Sequence, residues 1–257
     1  MEWSKAKSLL ILLMLAVNIY LGVNIYTQLR AEAVQEEEMV RDACTILKQQ
    51  GITVAEEVSE ALPFGLQSHT WVRDTEAERQ AALRLLGECH EDQPGGGIYT
   101  YNGTEGAITF RSGGYVELLE NDGADLDLKR LLLPQGEESR LTLMQQDGGF
   151  ALCFDGYAVL GAGVGKGEGE TWSGTWIFAS ASQPGEESLS RAQLILSAGR
   201  LLEKSGYTEL KGIACVYLLT SLQSGDIRLL PALLLDTGSE QLCMNALTGE
   251  AALLPQK

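Results

Sequence analysis

Histidine is almost missing from this chain. The two present, His69 and His90, stand neither in an H-E-x-x-H arrangement nor beside a second set of metal ligands, so neither a zinc-protease site nor a histidine-built metal centre is indicated. His69 falls at a loop-to-strand junction and His90 just past a helix cap, and both are expected at the solvent surface. No serine sits in a G-x-S-x-G elbow. Cysteine is sparse: Cys44, Cys89, Cys153, Cys215 and Cys243 lie far apart, with no C-x-x-C pair to suggest a redox or zinc motif. Their odd number cannot pair completely within one chain. An oxidising exterior would permit one or two bridges, whereas Cys153 and Cys215, in apolar strand-like runs, read as small buried thiols. Neither an enzyme nor a cofactor is expected from this inventory.

Positive charge is also scarce. The chain carries 35 acids and 19 bases for a net −16, and setting aside Glu2, Lys5, Lys7 and Arg30 leaves 34 acids and 16 bases, or −18, on residues 31–257. Such a surface repels phosphate polymers and anionic lipid, which argues against nucleic-acid binding. With 45% hydrophobic and 21% charged residues, the composition is that of a folded protein with material for one large core or two small ones.

What the chain does have is one long uncharged run. Leu9 to Tyr26, LLILLMLAVNIYLGVNIY, approaches the ~30 Å hydrocarbon core at ~1.5 Å per residue. Lys5 and Lys7 precede it, while Arg30 is followed by Glu32 and by Glu36, Glu37 and Glu38, so the lysines are expected to stay in the cytoplasm. A cleaved signal peptide is the rival, since Ala31-Glu32-Ala33 fits a small-x-small cleavage site. The run exceeds the ~7–15 residues of a signal core, Arg30 sits just before the small residues, and no lipobox cysteine follows; retention as an anchor is therefore expected. Leu15, Asn18, Gly22 and Ile25 recur on one helical face. In lipid an amide seeks a partner and a small residue lets another backbone approach, so this face reads as a partner-binding surface. The other reading is that Asn24 and Asn18 reach the headgroups or bond to their own backbone.

Beyond the anchor the pattern alternates helix and short strands. Ala33 to Gln50 is helical, with Val34, Met39, Val40, Ala43, Ile46 and Leu47 on one side and Gly51 as a cap. Ile52 to Val58 reads as a strand. Thr75 and Glu78 have capping-box spacing, opening a second helix that ends at Gly87. Strands are expected at 98–101, 107–111, 115–119, 141–145, 150–154, 157–161 and 171–178, a third helix from about Pro184 to Lys204, then strands at 210–221, 227–236, 240–245 and 250–254. The expected fold is α+β: an N-terminal transmembrane helix followed by two antiparallel-sheet lobes, each with one or two helices. The expected boundaries are a cytoplasmic start at 1–8, the membrane helix at 9–27, a stalk helix and first lobe at 28–125 and a second lobe at 126–257. Polar breaks at Asn121–Asp127 and Pro134–Ser139 support that division.

Three local patterns invite a ligand. The glycine run Gly161 to Gly167 invites a phosphate, but it lacks the P-loop spacing and a following helix, and reads as a flexible hairpin. Asn121, Asp122, Asp125 and Asp127 offer calcium oxygens without the EF-hand order or its bidentate glutamate. Asn102-Gly103-Thr104 matches a glycosylation sequon, a triplet common by chance.

Met1-Glu2-Trp3-Ser4-Lys5-Ala6-Lys7 running into an apolar helix with Asn18 resembles the start of the YycI family of Gram-positive bacteria. Gly225-Asp226-Ile227, Leu230-Pro231 and Met244-Asn245-Ala246-Leu247-Thr248-Gly249-Glu250 resemble the YycH/YycI and PepSY-like pattern, in which a strand ends in N-A-x-T-G-E and turns back. Asn245 and Gly249 suit that turn. Ala232 stands where the family usually has an aromatic. The resemblance implies a single-pass protein with an extracytoplasmic C-terminal domain that binds the WalK sensor histidine kinase together with a YycH-like sister, as homo- or heterodimer, and tunes signalling to WalR. The competing expectation is a PepSY-like extracytoplasmic inhibitor or ligand-binding module without a kinase partner.

Overall fold

In the computed structural model, the structure describes residues 3–62, 65–122, 124, 126–132, 140–167, 169, 171–179 and 181–254. One unbroken helix, α1 (Trp3–Gln49), takes in both the apolar run and the expected stalk. Its 47 residues span ~70 Å. Leu10 to Gln28 forms an apolar stretch with no part buried in the protein, a composition that fits a membrane anchor. Val40, Ala43 and Leu47 are buried in the folded body.

The remaining elements follow in order: β1 (Thr53–Val54), α2 (Glu56–Ala61), β2 (Gln67–Trp71), α3 (Thr75–Leu86), β3 (His90–Gly95), β4 (Ile98–Asn102), β5 (Gly106–Phe110), β6 (Tyr115–Glu120), α4 (Leu128–Leu132), β7 (Leu141–Gln146), β8 (Gly149–Phe154), β9 (Tyr157–Lys166), β10 (Thr171–Thr175), β11 (Gln183–Glu187), α5 (Arg191–Ser205), β12 (Glu209–Leu210), β13 (Gly212–Ser221), β14 (Ile227–Asp236) and β15 (Gln241–Asn245). The fold is α+β. Thirteen strands form one curled sheet in the order β11-β2-β14-β13-β9-β10-β6-β5-β4-β3, with β15 added beside β14 and the β7–β8 hairpin beside β9. Pairing is antiparallel except between β13 and β9, and in the separate β1–β12 pair. The strands on both sides of residue 126 thus share one ladder.

Two main clusters of buried side chains lie against the sheet. One gathers Trp71, Ile108, Phe110, Leu118, Leu132, Phe154, Trp176 and Tyr217 beneath α3 and α4. The other joins Val40, Ala43 and Leu47 of α1 to Ile195, Ala198 and Leu202 of α5 and to Leu233, Leu235 and Met244 of the sheet. Alternation explains the division. Along β14 the odd positions Ile227 and Leu229 serve the first cluster, Leu233 and Leu235 the second, while Ala232 turns to the opposite face with Val216, Leu218 and Cys243.

Several boundaries differ from expectation for local reasons. The third helix starts at Arg191, where Ser190 and Gln193 make a reciprocal capping box; Pro184 to Glu187 instead pairs with β2 as an edge strand. Helix α3 is capped by Asp74, whose side chain accepts from Glu76 and Ala77 N–H, so the expected Thr75–Glu78 box is not the cap. Only Thr53 and Val54 of the expected 52–58 strand pair, and α2 follows at once. The polar strand β3 and the leucine-rich helix α4 were not expected, and β2 takes in His69, where a loop was expected to pass into a strand. At the far end, residues 250–254 contribute a single bridge, Met244 to Ala251.

The α1–α5 contact depends on a missing side chain. A Cβ at Gly199 would come far inside van der Waals contact with Leu47 Cδ2, and Leu47 is 1% exposed. Gly199→Leu is expected to cost about 1–3 kcal/mol by overpacking, with part of the loss recovered by adding Leu47→Ala. Thermal unfolding of the full chain in detergent, with equal melting of all forms as the contrary result, checks this.

Candidate functional site

Leu15, Asn18, Gly22 and Ile25 are all exposed on α1, and nothing lies within 4 Å of a Cβ built on Gly22. At 3.6 residues per turn these four positions fall within an arc of roughly 80°. Val40, Ala43 and Leu47 fall within the same arc. One stripe of the helix is therefore open along the apolar stretch and closed against α5 and the sheet at the other end. About 11 residues, ~16 Å of helix, separate Gln28 from Val40. In that interval Glu37 and Glu38 are exposed and Glu36 is half-buried, the solvated acidic face expected of the stalk.

The folded body holds two polar clusters that sequence reasoning missed. In the first, Arg73 Nε and Nη2 each donate to Glu78 at 2.8 Å, a fork-to-fork pair. Their side chains are 13% and 4% exposed. Arg73 Nη1 also donates to Gly97 O at 2.6 Å, its backbone N–H to Asp226 Oδ1 at 3.1 Å, and its guanidinium lies 5.3 Å from the Tyr99 ring. These contacts pin α3, the β3–β4 turn and the β13–β14 turn together. Burial pushes the Glu78 carboxyl above its usual range despite the guanidinium beside it. A cavity of about 20 Å³ adjoins the pair, lined by Trp71, Trp176 and Phe178 among others, room for about one water.

The second cluster surrounds His69, which is buried at 2% exposure rather than solvent-facing as expected. Its neighbour two positions on, Trp71, occupies the same core-facing side of β2. The ring lies 4.7 Å from that of Phe154. Ser182 Oγ is 3.2 Å from Nδ1 and Arg140 Nη1 is 3.4 Å from Nε2, while Arg140 forms a two-pronged pair with Asp155. Burial first, and then Arg140, lower the His69 pKa; Asp155 opposes them. His90 is exposed, as expected.

No family model matches the chain. No curated protein matches it either. A solved structure of an uncharacterized protein from Eubacterium rectale is similar over 79% of this chain and 90% of that chain, at 11% identity and a TM-score of 0.39; a likeness that loose carries nothing about function.

The other motifs find local explanations. The glycine run lies mostly within β9, where Gly161 takes φ +84°. Asn121 donates to Thr104 O, and Asp127 Oδ1 accepts from Lys129 N–H at the start of α4; Asp125 and Pro134–Ser139 lie outside the described residues. The five cysteines are free thiols, with Cys153 and Cys243 buried and Cys215 half-buried; desolvation pushes Cys215 up to about 11. The N-A-x-T-G-E segment makes a tight turn. Asn245 Oδ1 accepts from Leu247 N–H at 2.8 Å, Gly249 takes φ +73°, and Asn245 N–H donates to Glu250 O. A Cβ at Gly249 would press on Ser197 of α5 at 2.5 Å, so this turn is seated on the helix that also receives α1.

Proposed function

We propose that this protein is a membrane-anchored extracytoplasmic regulator of a WalK-like sensor histidine kinase, related to the YycI family and acting by protein contact beside a YycH-like sister. The observation that supports the reading is the single unbroken helix carrying an exposed face with Asn18 and Gly22 into the core of the folded body. A partner helix seated on that face would lie on the same side as the body, and a shift of either would be felt by the other through α5 and the turn at Asn245–Glu250. The lysines before the apolar stretch and the glutamates after it support an orientation with residues from about 28 onward outside. Regulation then means that the contact is stronger in one kinase state than in the other; equal contact would shift nothing.

The test is crosslinking and co-purification of the full chain from native membranes, beside a version carrying an unrelated membrane helix and a version with Asn18→Leu and Gly22→Leu. Recovery of a sensor kinase with the native helix, falling roughly tenfold in the double variant, is the expected result. Unchanged recovery in the double variant removes this face from the contact. Recovery of no kinase by any version moves the reading to a freestanding inhibitor or ligand-binding module.

A further inference from the structure

Both ring nitrogens of His69 are addressed, and their partners fix its charge state. A guanidinium only donates, so the Nε2 that faces Arg140 Nη1 must accept, and the single proton of the neutral ring sits on Nδ1, donated to Ser182 Oγ. Protonating the ring would set an N–H against an N–H and a cation against a cation at 3.4 Å, inside a site that is 2% exposed. One of the two must move. His69 is held by β2 and by the rings of Trp71 and Phe154. Arg140, whose side chain is 50% exposed, has solvent to swing into.

Arg140 is also the fastening of the β7–β8 hairpin. Its carbonyl accepts from Asp155 N–H at 2.9 Å, its guanidinium pairs with the Asp155 carboxylate, and it covers the Phe154 ring at 4.6 Å. Asp155 itself sits at φ +50° in the β8–β9 turn, a non-glycine residue in the left-handed region held there by these contacts. We propose that His69 is a proton-operated latch: acidification protonates the imidazole, expels the Arg140 guanidinium and frees the β7–β8 hairpin. The switch works on the domain itself and does not depend on which partner the protein has.

The groups facing His69 leave this as the titration that matters. Arg140 and Asp155 are the charged neighbours. Tyr217, beside Phe154, is pushed up to about 12 by burial and stays neutral. The strands flanking β2 place Leu229 and Pro184 opposite His69, and Arg228 and Glu186 pair with each other on the other face, where Arg228 reaches Ser68. Because the folded-state pKa of His69 lies below its ordinary value of 6.5, the hairpin is latched at and above that pH and loses its latch as pH falls below it through the lowered pKa.

Amide hydrogen exchange of the full chain in a membrane mimetic tests this at about pH 7.5 and about pH 5, after correction for the intrinsic pH dependence of exchange. Protection across Leu141–Phe154 is expected to fall at least about tenfold once the His69 ring is protonated, with β4–β6 changing less than about twofold. His69→Gln keeps an acceptor toward Arg140 without a titrating group, and its hairpin is expected to be equally protected at both pH values. Asp155→Asn is expected to loosen the hairpin at both. A wild-type hairpin that stays protected when the His69 ring is protonated, or a His69→Gln hairpin that loosens as much as wild type, overturns the proposal. The unmodified protein supplies a second readout: the His69 ring resonance and the hairpin amide shifts must titrate together, and a ring that titrates while the hairpin amides stand still overturns it as well.

Discussion

Glu78→Ala is expected to destabilise the folded body by about 3–5 kcal/mol, the cost of stranding a buried charge. Glu78 is 4% exposed and accepts both prongs of the Arg73 fork. Without it, Arg73 keeps the Gly97 carbonyl, a long contact to Ser112 Oγ at 3.4 Å and the Tyr99 ring, too little to solvate a guanidinium that is 13% exposed. The pair is not for that reason strongly stabilising. Burial already raises the Glu78 pKa against the pull of Arg73, which marks a carboxylate whose desolvation outweighs its partner. The double replacement Arg73→Met with Glu78→Leu is therefore expected to recover most of the single variant's loss. For a body of this size the single change corresponds to a fall of roughly 6–20 °C in melting temperature. Calorimetry of the full chain in detergent decides it: a Glu78→Ala form within about 1 kcal/mol of wild type would mean that the pair is solvated in solution.

The α+β class and the apolar N-terminal helix were legible because their signals are local and additive. Leu10 to Gln28 needs only length and hydropathy. Strands such as β4, β6, β8 and β14 announce themselves through β-branched, aromatic and leucine alternation, and β14 was placed at Ile227–Asp236 to the residue. Strands β3 and β11 were not legible. HEDQPG and QPGEE are edge strands whose charges and prolines serve to discourage further pairing, so they carry the composition of loops. Sheet order was also beyond reach, since the parallel contact of β13 with β9 joins residues about 58 positions apart and no local pattern encodes it.

The polar clusters illustrate a different limit. Burial of His69 was readable in hindsight from its two-residue spacing to Trp71, because a strand that buries the indole buries the imidazole beside it. Its partners Ser182 and Arg140 come from segments 113 and 71 positions away, and nothing in the sequence ties them together. Glu78 was assigned to a helix cap because three-residue spacing from a threonine fits a capping box. Asp74, one residue earlier, does that work and leaves Glu78 free to turn inward to Arg73. A carboxylate in the first turn has two possible fates, and only the surrounding tertiary structure chooses between them.

Gly174→Ala is expected to be the most damaging small substitution in the sheet, costing at least about 3 kcal/mol, the upper end of overpacking. After Leu160, β9 leaves its parallel partner β13, and from Gly163 onward it pairs with β10, bending at Gly161. The three adjacent strands β8, β9 and β10 come close there. A Cβ on Gly149 would strike Val164 O, one on Gly163 would meet Phe150 O at 2.9 Å, and one on Gly174 would come far inside van der Waals contact with Gly163 O. Backbone held in a ladder on both sides cannot rotate away as a side chain can, so the strain at Gly174 has no cheap release. Gly165 lies two residues along in the same glycine-rich run, yet its Cβ would meet only Gly148 O, at 3.8 Å. Gly165→Ala is expected to change stability by less than about 0.5 kcal/mol. Chemical denaturation of the two variants side by side separates close strand packing from simple tolerance of glycine. If both unfold at the wild-type midpoint, the crossing of β9 from β13 to β10 is looser in solution than these contacts require, and the glycines are there for flexibility.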